Sequence, residues 1–129
     1  MTMPPDTPSS PAPKAPVFAD VKAILDRLVA GRSPERMKDA HGDPSFGWAT
    51  LDQLKSVVVR PNGQGSDPAY RLIDPSLVGN GQGAKTNLVV ALSSATGVDF
   101  NGKMPLGGPY AAAADIRTII AWIDAGMPA

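Results

Sequence analysis

The sequence contains no cysteine, and this absence excludes several kinds of site. Disulfide bonds, zinc sites with thiolate ligands, cysteine nucleophiles and haem attached through thioether bonds all need that side chain. Histidine occurs once, as His41, and no acidic residue that would orient its ring is recognisable around it. A hydrolytic triad would have no other imidazole to use as its base. We therefore expect that the protein is not an enzyme.

An excess of charge of one sign is also absent, because 12 basic residues balance 12 acidic ones and the formal net charge is +0. A nucleic-acid interface carries a surplus of Lys and Arg, so we expect no nucleic-acid partner. No apolar run approaches the ~20 residues that a membrane-spanning helix needs. The N-terminus also has no basic segment followed by an apolar one. We therefore expect no membrane span.

Proline and glycine are abundant, at 14 and 13 of 129 residues, against usual frequencies of ~5% and ~7%. Six of the prolines fall in "MTMPPDTPSSPAPKAP", which has almost nothing to bury. We predict a disordered linker over residues 1–16 and one domain over residues 17–129. A tail of this kind is compatible with export, so we expect a periplasmic or extracellular protein.

Helical periodicity predicts the first and last elements of this domain. Apolar residues in "VFADVKAILDRLVAGR" recur at helical spacing, and Gly31 is placed to end the helix in a left-handed cap. In "AAAADIRTIIAWIDAGMPA" one helical face carries four isoleucines, and Trp122 lies beside them, where we expect it to pack against the first helix near Phe18. The isoleucines are Ile116, Ile119, Ile120 and Ile123.

Capping residues predict three further helices. In "SPERMKDAHG", Ser33 is placed as the N-cap and Gly42 follows the end, so His41 lies at the C-terminus of a short helix. Thr50 and Gln53 form a capping box before "LDQLKSVVV", and Thr86 caps "NLVVALSS".

Residues 60–85 are dominated by Gly, Asn, Asp, Pro and Ser, and we predict an ordered loop whose apolar residues pack on the core. Those residues are Leu72, Ile73, Leu77 and Val78. No segment alternates with period two for long enough to require a sheet. The fold class predicted is all-α, with about four to five short helices and long Gly/Pro-rich loops.

Three segments together resemble the small cytochrome c domains of bacterial secreted and periplasmic proteins: "ADVKAILD", "LIDPSLVGNGQGAKTNLVVALSS" and "KMPLGGPYAAAADIRTIIAWIDAGMP". In that family the first helix carries V-x-x-I-L, a loop supplies M-P, and the chain closes with a W-I-D-A-G helix. The resemblance runs from about Phe18 to Pro128. It implies a cytochrome c-like bundle in which the N- and C-terminal helices cross and pack.

The haem-attachment motif C-x-x-C-H of that family is altered here. If Met37, Ala40 and His41 stand at its positions, the histidine is kept and both thioether sites are lost. A second alignment places "VAGRS", Val29 to Ser33, at the motif, and the histidine is then lost as well. Both alignments exclude a covalently attached haem, because no sulfur is present to add to its vinyl groups.

Two interpretations of function follow from the resemblance. In the one that we favour, the domain is haem-free and side chains such as Met37, Trp48 and Met104 refill its cleft. It would then be a non-catalytic binding or structural module for a protein or a neighbouring domain. In the alternative, His41 and Met104 hold a non-covalent haem for electron transfer. Phe46 and Trp48 are candidate aromatics that cover the cleft or contact a partner.

Other interpretations of His41 and of the two methionines, Met37 and Met104, are also compatible with the sequence. His41 could instead have a structural role at its helix end, where an imidazole donates to an unpaired carbonyl. With Met37 and Met104 it could also form a set of soft ligands that suits copper. Asp43 is expected to place a carboxylate beside the iron ligand, which weighs against haem. The chain also has few aromatic residues to line a haem pocket, with 2 Trp, 2 Tyr and 3 Phe, and this too weighs against haem.

Overall fold

The computed structural model of this chain describes residues 15–43, 45–60, 69–95, 97–98, 103–105 and 108–129, and this part of the chain is mostly helical. All but the last two residues of the predicted linker lie outside the described residues. The helices are α1 (Phe18–Leu28), α2 (Pro34–His41), α3 (Leu51–Ser56), α4 (Asn87–Ser93) and α5 (Ala113–Asp124). Two 3-10 turns, Pro75–Leu77 and Gly83–Lys85, lie between α3 and α4.

Helices α1 and α5 pack against each other, as expected for the two ends of the domain. The rings of Phe18 and Trp122 lie 6.2 Å apart between centroids. The backbone N–H of Phe18 donates to the carbonyl of Pro128 at 2.9 Å, and the indole N–H of Trp122 donates to the same carbonyl at 2.9 Å. An ion pair between Arg27 and Asp115, at 2.6 Å, joins the same two helices at the surface.

The hydrophobic core is built around these two helices. Trp122, Ile119 and Ile123 are fully buried, whereas Ile116 and Ile120 are half-buried at the edge of the same face. The isoleucine face predicted for the last helix is therefore confirmed. Ile119 and Ile123 are its most deeply buried members. Helix α1 contributes Val21 and Leu25 to the core, and other elements complete it with Leu54, Ile73 and Val89.

The end of α1 differs from the prediction. The helix ends at Leu28, with Val29 as its C-cap, rather than at Gly31. A tight turn follows, in which the N–H of Arg32 donates to the carbonyl of Val29 at 2.9 Å. Gly31 lies within that turn at φ 82°, a left-handed conformation that glycine adopts without a steric penalty. Gly31 is left-handed as predicted, but the prediction that it caps α1 was wrong, because it lies in the turn between α1 and α2.

The described residues contain one small sheet of two strands, which the all-α prediction did not include. Helix α3 ends at Ser56, and the valines that follow it form a short strand, β1 (Val58–Val59), which pairs antiparallel with β2 (Tyr70–Arg71). Val59 is buried and Val58 is half-buried. β-Branched residues favour an extended backbone when a partner strand is available, and residues 70–71 supply that partner.

The predicted caps are present at three helices. Ser33 accepts from the N–H of Arg36, Thr50 from that of Gln53 and Thr86 from that of Val89. Gly42 follows α2 at φ 64°, as its position predicted. The amide of Gln53 accepts from the N–H of Ala49 at 2.8 Å, one residue before the cap. The side chain of Gln53 thus ties α3 to the segment before it.

The segment predicted as an ordered loop contains β2 and two 3-10 turns where the structure describes it, and residues 61–68 lie outside that part. Leu72 and Ile73 are buried, and Leu77 and Val78 are half-buried. Gly83 brings this loop directly onto α5, where its N–H donates to Asp124 Oδ1 at 2.7 Å. A Cβ at residue 83 would lie 2.8 Å from that oxygen, 3.0 Å from the backbone carbonyl oxygen of Ile120 and 3.1 Å from Cβ of Ile123, so the close approach favours glycine.

Candidate functional site

A cleft with a volume of about 700 Å³ opens between α1, α2, α4, the small sheet and the segment at residues 104–105. Ligand pockets in proteins fall in the range of ~300–1,000 Å³, so a small molecule would fit. The walls are mainly apolar, and aliphatic side chains supply most of them: Leu25, Leu28, Val59, Leu72, Leu88 and Leu92. His41 and Met104, far apart in the sequence, both line this cleft.

The side chains that we expected to refill the cleft line it instead. Met37, Trp48 and Met104 are half-buried and pack against the core at the cleft wall. Trp48 is held at its position by a hydrogen bond from its indole N–H to Asp26 Oδ1 of α1, at 2.8 Å. Because this bond fixes the ring against α1, the indole forms a side of the cleft and leaves its interior open.

The carboxylate of Asp26 accepts the hydrogen bond that holds the indole of Trp48. The same carboxylate pairs with Lys22 at 2.7 Å, and this ion pair, followed by the hydrogen bond from Trp48, lowers the pKa of Asp26 below its usual value. The carboxylate therefore remains ionised at neutral pH, and its hydrogen bond to the indole is charge-assisted.

His41 is the last residue of α2, and its ring is oriented by the backbone of the same helix. Nδ1 lies 2.6 Å from the carbonyl oxygen of Met37. A carbonyl oxygen only accepts, so Nδ1 carries the proton and Nε2 of the neutral ring keeps its lone pair. Burial lowers the pKa of His41 below 6.5, which favours this neutral form at pH 7. The structural role expected at the helix end is thus present, and Nε2 can still bind a proton donor or a metal.

Three aromatic rings follow one another along this side of the cleft. The rings of His41 and Phe46 are stacked, with centroids 3.9 Å apart and planes 1° from parallel. Phe46 in turn meets the edge of Trp48 at 5.7 Å. Both Phe46 and Trp48 line the cleft, so the two aromatics of "SFGWA" form part of its wall.

Asp43 does not place its charge at the cleft, contrary to our expectation. Its carboxylate accepts from the backbone N–H groups of Ser45 and Val58, at 2.8 and 3.1 Å, and it is 9% exposed. It is not among the described residues that line the cleft. Asp43 therefore joins the end of α2 to β1, and its presence does not weigh against a ligand beside His41.

Met104 is positioned by helix α4. Its backbone N–H donates to the carbonyl of Ala91 at 2.7 Å, and Ala91 lies on the cleft wall as well. This bond fixes the segment that precedes Pro105 against α4. The tertiary structure thus brings an imidazole and a thioether to one apolar cleft.

Two arginines that the sequence analysis did not single out also border the cleft. Arg32 and Arg36 line it, together with Ser33 between them. Arg32 is held by a hydrogen bond from Nη2 to the carbonyl of Gly108, at 2.8 Å. The alignment that placed residues 29–33 at the haem motif was the one sequence signal that pointed to this segment.

The donor set of the cleft fits a non-covalent haem, because a neutral imidazole and a thioether beside apolar walls are what His/Met ligation requires. Met37 also lines the cleft, so the three candidate copper ligands share one space. In the described ranges, no group of three or more His, Asp or Glu side chains is placed to hold a metal ion.

Among the residues that the structure describes, no helix has both the length and the apolarity to cross a membrane.

No protein-family model, curated protein or solved structure matches this chain. The function therefore has to be argued from the cleft and the residues that line it.

Proposed function

We propose that this chain is a non-catalytic binding module of cytochrome c-like fold that acts outside the cytoplasm, with the cleft as its ligand site. The observation that carries the proposal is the apolar cleft of about 700 Å³ with His41 in its wall. Protein interiors normally close over spaces of this size, because an open apolar surface forfeits both packing and hydrophobic stabilisation. A cleft whose walls are fixed in place is the usual form of a small-molecule site.

Support for the cytochrome c-like fold comes from the same geometry. Helices α1 and α5 pack against each other, and the M-P segment and the histidine of "DAHG" reach one cleft. These are the relationships that the sequence resemblance implies.

The ligand would be bound mainly by burial of apolar surface. Phe46 and Trp48 offer ring faces or edges, and the aliphatic walls remove the ligand from water at roughly 25 cal/mol per Å² of apolar area. The neutral ring of His41 offers Nε2 as one oriented acceptor. Such a combination of apolar walls with one oriented polar group is typical of selective small-molecule sites.

A neutral fluorescent probe, N-phenyl-1-naphthylamine, tests whether the cleft binds apolar molecules. We expect saturable binding with one site per chain, and quenching or a shift of Trp48 emission. Ala91→Phe places a ring in the cleft and should abolish binding, whereas Ala121→Phe, at an exposed position of α5, should leave it unchanged. Circular dichroism checks that both variants fold.

Val29→Phe provides a second blocked cleft if Ala91→Phe fails to fold, because Val29 is a half-buried residue of the wall. Equal binding of the probe by the wild type and a folded blocked variant would contradict the assignment of the cleft as the site.

A second candidate function is electron transfer by a haem held without covalent bonds. The observation that favours it is the hydrogen bond from Nδ1 of His41 to Met37, which leaves Nε2 as a metal ligand, as second-shell partners of ligating histidines do. His41 and Met104 would hold the group, and the apolar walls would exclude water from it. Bound haem would supply a one-electron redox centre.

Titration with haemin and with metal-free protoporphyrin tests this second function. Iron ligation predicts a sharpened Soret band at one equivalent of haemin, lost in His41→Ala and altered in Met104→Leu. Leu keeps the volume of Met but lacks its sulfur. Binding of the metal-free ring should depend on neither ligand. Equal behaviour of haemin in the wild type and in His41→Ala would exclude ligation by His41.

A further inference from the structure

Three side chains that line the cleft carry atoms that bind soft metal ions. His41 contributes an imidazole, and Met37 and Met104 contribute thioethers. Imidazole is a common copper ligand, and thioether sulfur selects Cu(I) in particular. The described residues that line the cleft include no Asp or Glu, so the carboxylates that calcium and magnesium sites use are missing among them. The donor set of the cleft is therefore a soft one.

From this donor set we infer that the cleft holds a Cu(I) site, with Nε2 of His41 and the sulfur atoms of Met37 and Met104 as its ligands. Such a site requires neither an apolar ligand nor a haem, so it stands apart from the two functions proposed above. It differs from a haem site in using Met37 as well as Met104.

His41 presents its free nitrogen in a fixed orientation. Nδ1 donates to the carbonyl of Met37 at 2.6 Å, and this leaves the lone pair of the neutral ring on Nε2. Histidines that bind metals almost always donate their other ring N–H in the same way. The ring is also stacked on Phe46, with centroids 3.9 Å apart. Both the tautomer and the plane of the imidazole are thus set before a metal binds.

Met37 lies one helical turn before His41 on α2. Residues four apart in a helix are neighbours on one face, and both side chains are half-buried and line the cleft. The hydrogen bond between the imidazole and the backbone of Met37 also joins these two residues directly. Helix α2 therefore supplies two of the three ligands at a spacing that the helix itself fixes.

Met104 supplies the third ligand from a distant part of the chain. Its backbone N–H donates to the carbonyl of Ala91 at 2.7 Å, so the start of its side chain is fixed beside α4. A methionine side chain has three rotatable bonds, which allow its sulfur to adjust to a metal within the cleft. The site combines one preset imidazole with two adjustable sulfur atoms.

Ag(I) is the probe for this site, because it is a soft ion with the same charge as Cu(I) and keeps its oxidation state in water. The full chain, isotopically labelled at the methionine methyl groups, is titrated with silver nitrate in a chloride-free buffer and followed by NMR. We expect the methyl signals of Met37 and Met104 to shift together along one saturable curve. The signal of Met127, which is buried in the core and does not line the cleft, should stay unchanged.

Variants assign the ligands, and calorimetry with Ag(I) measures their affinities. Met37→Leu and Met104→Leu should each weaken binding about tenfold or more, because each removes one soft ligand and keeps the volume of the side chain. His41→Asn, which retains a donor for the carbonyl of Met37, should weaken binding as well. Met127→Leu removes a thioether outside the cleft and is the matched control, whose affinity should equal that of the wild type. Circular dichroism checks that the variants fold.

Cu(I) itself is titrated without oxygen, in the presence of ascorbate and a chromophoric Cu(I) chelator. The wild type should withdraw the metal from the chelator more strongly than Met37→Leu and as strongly as Met127→Leu. A wild type that withdraws no more Cu(I) than Met37→Leu would contradict the site.

The outcomes separate the metal site from the proposed functions. Equal affinity of the wild type and Met37→Leu for Ag(I) would overturn the inference and leave the cleft as a site for apolar molecules or haem. Shifts confined to methionines other than Met37 and Met104 would overturn it in the same way. Shifts of both cleft methionines, without binding of N-phenyl-1-naphthylamine, would support the metal site and count against the proposed function.

Discussion

The imidazole of His41 lies flat on the ring of Phe46, with centroids 3.9 Å apart, while its Nδ1 donates to the carbonyl of Met37 at 2.6 Å. The stack covers one face of the imidazole, and the hydrogen bond sets its tautomer. Burial lowers the pKa of His41 below 6.5, although the bond to Met37 opposes that shift. The folded chain therefore binds a proton at this ring less readily than the unfolded chain does.

The first prediction concerns stability against pH. Above pH 6.5 the imidazole is neutral in both states, and the contribution of His41 is fully present. As the pH falls below 6.5, the unfolded chain binds the proton first, so the free energy of unfolding should decrease until the folded pKa is passed. Urea unfolding between pH 7.5 and pH 5, followed by circular dichroism, measures this loss.

The control for that measurement is His41→Asn, whose side-chain N–H can still donate to Met37 but does not titrate. The carboxylates of Asp26 and Asp74, whose pKa values are lowered by their hydrogen bonds, are common to both proteins. The difference in stability between wild type and variant should therefore shrink as the pH falls through 6.5. A difference that stays constant over this range would contradict the depressed pKa.

A second prediction concerns the packing of the terminal helices. Trp122 is fully buried and touches Phe18, so Trp122→Ala should lower the free energy of unfolding by about 3–5 kcal/mol. Trp122→Phe, which keeps a ring but loses the hydrogen bond to Pro128, should cost less. Denaturant unfolding measures both, and a loss below about 1 kcal/mol for the alanine variant would contradict this account of the core.

Thr86 supplies a third prediction, because it is a fully buried polar residue with two hydrogen bonds. Its hydroxyl donates to the carbonyl of Gly83 at 2.7 Å and accepts from the N–H of Val89 at 3.4 Å. Thr86→Val keeps the shape but leaves the N–H of Val89 without the hydroxyl as acceptor, at a cost of about 1–3 kcal/mol. The carbonyl of Gly83 loses one of two hydrogen bonds, because it still accepts from the backbone N–H of residue 86 at 3.1 Å. Thr50→Ala, at an exposed cap, should cost about 1 kcal/mol. Comparable losses for the two variants would argue against the importance of burial at Thr86.

The fourth prediction is a small effect. Arg27 and Asp115 join α1 to α5 at 2.6 Å, but the arginine side chain is 61% exposed. Solvent screens such a pair, so Arg27→Ala should change the free energy of unfolding by less than about 1 kcal/mol. The effect should also decrease at high salt. A larger, salt-insensitive loss in thermal unfolding would show that Arg27 contributes through its packing.

Local signals in the sequence were sufficient to predict the five helices that the structure describes and three of their N-caps, although not the end of α1. Ser33, Thr50 and Thr86 cap the helices that they were expected to cap, because capping depends on a side chain and a backbone N–H only a few residues apart. The position of His41 at the end of α2 follows from Pro34 and Gly42 for the same reason.

The sheet could not be predicted from such signals. Val57 and Val58 continue the helical spacing of Leu51 and Leu54, so the sequence leaves the end of this helix ambiguous. Val58 and Val59 form a strand because residues 70–71 pair with them. A strand depends on a partner that lies elsewhere in the chain, and a window of neighbouring residues does not contain it.

The sequence by itself determined that this chain has no cysteine to attach haem through thioether bonds, that amphipathic helices stand near both ends of the domain, and that its one imidazole ends a short helix. Only the tertiary structure decided that His41 and Met104 line one open cleft, that the carboxylate of Asp43 accepts from backbone donors, and that Arg32 and Arg36 line the same cleft. The physical reason is that composition and periodicity are local, whereas a cleft is the space left between elements distant in sequence, and its shape depends on how those elements pack.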